Sequence, residues 1–258
     1  MPSLRAFLLP GAVLPAELAY AALLPVLAPG VDAVAKDLEL YAPPEPAADY
    51  GLDAEVAAVL READARGWER FHLVGYSGGG AAALACVAAA ADRVSSLALL
   101  EPAWAGTSGM SAAERAAWLA LERIEELPDE QFMVAFMRLS VRPGVALPEP
   151  PPGDPPPWMA KRPAGIRAFL RAFRQDEIDR ESLSRFDRPV YVALGGLSNP
   201  DQYGAVAERL GRVLPTTRSR CSTSGTTLTR RTGPSQSGSP ARSQRSGGAP
   251  RPRRGSAA

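Results

Sequence analysis

Residues Phe71–Ala85 read FHLVGYSGGGAAALA, and this stretch decides how the rest of the chain is read. FHLV is a short apolar run of the kind that forms a buried strand. AAALA begins an Ala-rich segment, Gly79–Ala91, which is apolar nearly all round and so suits a helix buried against a sheet. Between them stands Gly75-Tyr76-Ser77-Gly78-Gly79, a G-x-S-x-G placed between strand and helix. A serine at the centre of such a turn is held in a strained conformation with its hydroxyl exposed, and the flanking glycines let the chains pass closely. The helix N-terminus behind it favours negative charge. A Gly-rich turn or a degenerate phosphate loop is the alternative, but the stretch has neither G-K-[ST] nor G-x-G-x-x-G.

On either side of this stretch, apolar runs alternate with helical patterns, the trace of βαβ units. Leu4–Leu9 reads as a strand running into Pro10-Gly11, and Val31–Tyr41 holds a second strand. Asp53–Arg66 has apolar spacing of three and four residues and ends at Gly67, which predicts an amphipathic helix. Val94–Glu101 and Pro189–Gly196 are further strands, and Asp201–Leu214 is a helix. From Gly106 to Arg185 the strand signal disappears. Ser111–Glu126, Asp129–Leu139 and Ile166–Arg174 are helical there, with a Pro-rich interruption at Pro148–Pro157.

The chain has 258 residues with 46% apolar and 22% charged residues, the profile of an ordinary globular α/β protein. Its formal charge of +1 hides a division. Residues 216–258 carry nine Arg and no Asp, Glu or Lys, so the remainder holds 20 basic against 28 acidic residues and is near −8. An acidic body argues against specific nucleic-acid binding, and nine Arg without interleaved aromatics supply only salt-sensitive, unspecific attraction. The tail is Ser, Thr, Gly, Pro and Arg, with Leu228 its only large aliphatic residue, and this composition predicts disorder.

Two cysteines, Cys86 and Cys221, cannot build a disulfide framework and suggest a reducing compartment. The N-terminal apolar stretch is broken by Pro10, Pro15 and Pro25. Only 14 uncharged residues separate Glu17 from Asp32, too few to span a bilayer. A cytoplasmic location without membrane attachment is expected. No His, Cys, Asp or Glu cluster has metal-ligand spacing, so neither a metal nor an organic cofactor is expected.

With Ser77 in its strand-turn-helix setting, the sequence resembles the α/β-hydrolase fold family over roughly Leu4–Leu214. The resemblance implies a mostly parallel sheet flanked by helices. Residues 1–105 and 186–215 would be the two parts of the core, 106–185 a helical cap, and 216–258 a disordered tail. It further implies a serine hydrolase with Ser77 as nucleophile, esterase-like, acting on a small, apolar acyl substrate. LLPGAV (Leu8–Val13) stands where the family's His-Gly loop is found, so the N–H of Ala12, or of Val13, would pair with that of Gly78 as an oxyanion hole. The family's usual acid position falls in GGLSNPD, where Ser198 or Asn199 stands and Asp201 opens a helix. A second arrangement, similar to haloalkane-dehalogenase-like members, puts the acid at the tip of the sixth strand, where Glu101 lies. Glu101 is the expected acid, with Asp201 as the alternative and a purely structural carboxylate the bland reading. Trp104, Trp118, Phe132, Phe136 and Trp158 would give the cap an apolar pocket.

The base is the difficulty. His72 is the single His, five residues before Ser77 on the strand itself, where a side chain enters the packing layers. The family's His should follow the last strand, inside the Arg-rich stretch. Reading that stretch one nucleotide earlier, with mostly GC-rich wobble choices, turns Thr216–Gly233 into DYALEVFDERHHFDPPHR, a strand followed by a loop in which each Thr codon permits His, with Asp, Asn or Tyr as the alternatives. Ser235–Gly247 becomes EPERLARSLxALW, an amphipathic helix. The expectation is therefore a C-terminal frameshift that replaces the last strand, the last helix and the base. The competing expectation is a hydrolase-like scaffold without a working triad, used for binding.

Overall fold

The computed structural model describes residues 4–147, 149, 153–223 and 226–231. The chain opens with β1 (Leu4–Leu9), a single helical turn α1 (Ala16–Ala19), β2 (Val31–Ala35) and α2 (Leu52–Ala65). β3 (Phe71–Tyr76), α3 (Gly78–Ala90) and β4 (Val94–Leu100) follow. Four helices come next: α4 (Ala112–Ile124), α5 (Asp129–Ser140), α6 (Arg162–Gln175) and α7 (Arg180–Ser184). β5 (Val190–Gly195), α8 (Ala205–Val213), β6 (Thr217–Thr223) and β7 (Thr226–Arg231) complete the described chain.

The seven strands form one sheet in the order β2-β1-β3-β4-β5-β6-β7, parallel throughout except for the β6–β7 pair. This is the mostly parallel, helix-flanked sheet expected. After β1 the chain steps outward to β2, then returns to the other side of β1 to lay down β3. The order therefore reverses between β1 and β3, and the carboxyl ends of those strands face the crevice where open α/β sheets bind ligands.

α3 is buried as its composition predicts: Ala81, Ala82, Ala83, Leu84, Cys86 and Val87 are all fully enclosed. Its first turn approaches β1 so closely that a methyl group on Gly79 would lie 2.6 Å from the Leu9 carbonyl oxygen. Only glycine fits there, which is why the motif carries one. α4 begins with a capping box: the Glu114 N–H donates to the Ser111 hydroxyl, and the Ser111 N–H donates to the Glu114 carboxylate at 2.7 Å.

Several expectations change. The segment Val31–Tyr41 is a strand only to Ala35, and Glu39–Tyr41 is a 3₁₀ turn whose N–H groups bind the buried Glu55 carboxylate. The helix expected at Asp201–Leu214 starts as a π-helical turn, Pro200–Gly204, before α8. At the start of the Arg-rich stretch, Thr217–Thr223 and Thr226–Arg231 extend the sheet, with β6 in parallel register from Val190↔Thr217 to Gly195↔Ser222. Composition weighs what side chains can bury, whereas this pairing uses backbone N–H and C=O groups that any of these residues supplies. Residues 232–258 of that stretch lie outside the described residues. No described helix is long and apolar enough to cross a membrane.

Candidate active site

Ser77 stands between β3 and α3 at φ 50° and ψ −116°. Its N–H donates to the Leu100 carbonyl at 3.0 Å, and its own carbonyl accepts the N–H groups of Gly80 at 2.8 Å and Ala103 at 2.9 Å. The elbow is thus tied to the chain leaving β4. Gly75 and Gly79 make the turn possible, since a methyl group on Gly75 would lie 2.5 Å from the Gly79 carbonyl oxygen. Tyr76, between them, packs its ring against Gly11.

Glu101 is the next residue after β4, and its φ of 46° is also left-handed. Among the described residues, Ser77 and Glu101 are the two non-glycine positions with positive φ. Backbone strain of this kind costs on the order of 1–3 kcal/mol per residue and concentrates at functional sites. The Glu101 N–H donates to the Ala193 carbonyl at 2.8 Å, and its Oε1 accepts the Gly195 N–H at 2.7 Å and the Ser198 hydroxyl. Ser198 was singled out only because it fills a position where an acid is usual. Here its hydroxyl instead holds the acid of the neighbouring strand.

Ala12, on the loop after β1, lies beside Ser77 and Gly78 in the wall of one cavity. The N–H groups of Ala12 and Gly78 meet no acceptor among the described residues. The Tyr41 hydroxyl donates to the Ala12 carbonyl at 2.6 Å and fixes that loop from the 3₁₀ turn. Val13 follows it along the rim of a second cavity.

Two cavities meet at Ser77. One, of about 90 Å³, is apolar and runs under the inserted helices, where Trp104, Trp118, Phe136 and Phe169 line it. The other, of about 370 Å³, holds Ser77, Glu101, Tyr76, Ser198 and Tyr203. Of the five aromatics expected to line a pocket, Trp104, Trp118 and Phe136 reach the apolar cavity. Phe132 is core, and Trp158 lies against Arg162 instead.

The structure does not bring His72 or Asp201 to this place. His72 Nδ1 lies 2.7 Å from the Ser96 hydroxyl, and burial lowers its pKa. Five strand residues, about 16 Å, separate it from Ser77. Asp201 is exposed on the π-helical turn, its N–H capped by Asn199 at 3.1 Å. Tyr203, which sequence reasoning missed, is buried with its phenol beside the Ser140 and Ser77 hydroxyls, and burial pushes that phenol's pKa up. A lone tyrosine at the start of a helix carries no periodic signal that could have marked it. No group of three or more His, Cys, Asp or Glu able to hold a metal occurs among the described residues.

The sequence profile of the alpha/beta hydrolase family matches residues 6–227. A comparison with curated proteins gives no match. Among solved structures, the chain is similar to a hydrolase from Pseudomonas aeruginosa at 19% identity and a TM-score of 0.62, covering 85% of this chain and 82% of that one. A thermophilic esterase from Thermogutta terrifontis matches at 16% identity and a TM-score of 0.63, covering 85% and 81%. A meta-cleavage product hydrolase from Pseudomonas fluorescens matches at 16% identity and 0.55, covering 85% and 82%. At these identities the likeness is one of fold.

Proposed function

The chain belongs to the alpha/beta hydrolase family, and on that footing we propose that it is a serine hydrolase of the esterase type acting on a small acyl substrate through Ser77. The observation that carries this is the pairing of left-handed backbone at Ser77 and Glu101, side by side at the carboxyl end of the sheet. In this reading the Ser77 hydroxyl attacks the acyl carbonyl carbon and forms a tetrahedral intermediate. Its oxyanion is held by the N–H groups of Ala12 and Gly78, neither of which has another acceptor among the described residues. Collapse of the intermediate expels the alcohol, and water then releases the acid from the acyl-enzyme. The helices between β4 and β5 act as a cap, and the apolar cavity beneath them takes the acyl chain. The protein works in the cytoplasm on a small molecule, without specific nucleic acid or membrane as partner.

The attack needs a base, which Glu101 orients. The 370 Å³ cavity between Ser77 and Glu101 has room for an imidazole. In the alternative reading frame, each Thr codon permits His, Asp, Asn or Tyr, and the choice of a C wobble base puts His-His at the positions of Thr226 and Thr227, just beyond β6. Because β6 runs parallel to β5, its C-terminal residue lies at the same end of the sheet as Glu101, so a base placed just after β6 by a frameshift near Pro215 would stand on the correct side of the sheet. Resequencing the gene around the Pro215 codon tests this, and an intact frame throughout would refute it. The hydrolase reading is tested by turnover of p-nitrophenyl butyrate in the frame-corrected chain. Turnover abolished by Ser77→Ala is expected, and turnover untouched by it would overturn the assignment.

One observation favours a second reading, a binding scaffold. The single His of the sequence is His72, at the amino-terminal end of β3, so no imidazole reaches Ser77 within the described residues. A frame-corrected chain without turnover would favour that reading.

A further inference from the structure

The apolar cavity ends on polar groups that ester cleavage leaves unused. Tyr203, Val206 and Arg209 follow at intervals of three residues and all line it. At a helical rise of about 1.5 Å per residue, Arg209 lies about 9 Å beyond Tyr203, away from the nucleophile. Arg209 is 2% exposed, its guanidinium sits 5.0 Å from the Trp104 ring centre, and its Nε is 2.9 Å from Glu114 Oε1. The Nη1 group donates to the Ser108 carbonyl at 3.4 Å. The Nε and Nη2 groups of Arg209 and the indole Nε1 of Trp104 are buried and make no hydrogen bond among the described residues, Nε meeting Glu114 only as an ion pair.

A buried donor left unmet costs about 1–3 kcal/mol, and native interiors hold few of them. Unmet donors on two neighbouring side chains, both of which line one cavity, are best explained by an acceptor that arrives with the substrate. The charge balance says which kind. Burial pulls the Glu114 carboxyl upward, but the Ser111 N–H and Arg209 outweigh it and hold the group below its ordinary range, so Glu114 is ionised and neutralises Arg209. A second carboxylate here would be a buried charge without a counter-ion. A neutral carbonyl oxygen would satisfy the donors without that penalty.

We propose that Arg209 and Trp104 form a specificity subsite for an uncharged oxygen acceptor, a keto group carried on the acyl chain several carbons from the scissile bond. The proposal rests on the reading of this cavity as the acyl site but not on chemistry at Ser77. Its test is therefore binding of intact esters to the frame-corrected Ser77→Ala protein, followed by ligand-observed NMR. Methyl 6-oxoheptanoate is expected to bind about 10-fold more tightly than methyl heptanoate or monomethyl adipate, the effect of one to two satisfied hydrogen bonds. Arg209→Met should remove the preference. Since that change leaves Glu114 unpaired and threatens folding, Trp104→Phe supplies the milder variant, and it should reduce the preference to about 3-fold. Equal binding of the keto and plain esters, or an undiminished preference of about 10-fold in the Trp104→Phe variant, would overturn the subsite. Tighter binding of the adipate would overturn its neutral character. A keto preference in a protein that hydrolyses nothing would leave the subsite standing and sink the hydrolase reading alone.

Discussion

The Ser198 hydroxyl donates to Oε1 of Glu101, the same oxygen that accepts the Gly195 N–H at 2.7 Å. A residue after β5 thus holds the carboxylate offered by β4, and two strand ends define one acid. Because Gly195 remains, Ser198→Ala should loosen Glu101 rather than free it. The expected result is a loss of about 1 kcal/mol, a melting point lowered by about 2–4 °C, and turnover of the frame-corrected chain reduced about 10-fold with KM unchanged. Calorimetry and ester kinetics check this, and an unchanged kcat would remove Ser198 from the account.

Gly79 faces backbone on β1, which cannot move aside as a side chain can. Gly79→Ala is expected to destabilise by at least about 3 kcal/mol. Gly204 provides the contrast: it has helical dihedrals and nothing within 4 Å of an added Cβ. Gly204→Ala should be neutral or stabilising by up to about 1 kcal/mol. Denaturant unfolding of the two variants measures the difference.

The Tyr41 hydroxyl reaches the Ala12 carbonyl at 2.6 Å, while Arg162 of α6 stacks on its ring at 3.9 Å. One side chain therefore links α6 to the loop proposed to supply the oxyanion hole. Tyr41→Phe keeps the stacking and loses the hydrogen bond. It is expected to lower kcat about 10-fold with little change in melting temperature. An equal loss in Arg162→Met but none in Tyr41→Phe would assign the effect to packing.

Burial raises the Glu55 pKa above its ordinary 4.5, although the Glu39 and Leu40 N–H groups and the Tyr50 hydroxyl oppose the rise. For an acid whose folded pKa is raised, the contribution to stability is complete below the unfolded value and is lost as pH climbs through the folded one. The parent chain should therefore gain stability relative to Glu55→Gln as pH falls from 7 toward 4.5. Urea unfolding at several pH values tests this. A difference that shrinks on acidification would contradict the sign.

Much of the fold was legible because it rests on local pattern. β3, the elbow and α3 follow from one stretch of sequence in which period, glycine spacing and Ala content agree. Glu101 was legible because it ends an apolar strand. The polar end of the apolar cavity was not, since Arg209 lies about a hundred residues from Trp104 and Glu114 and meets them only when α8 packs against α4. The strand within Val31–Tyr41 was legible, but its end at Ala35 was not, because the second half of that run is a turn fixed by the distant Glu55. Strand β6 was hidden because its partners are backbone groups, which composition does not record.

The most direct test of the central claim is labelling of the frame-corrected chain with a fluorophosphonate, followed by peptide mass spectrometry. A single adduct on the peptide containing Ser77, absent from Ser77→Ala and strongly reduced in Glu101→Gln, is the result this account predicts. An adduct on another serine, or no adduct on a folded chain, would contradict it.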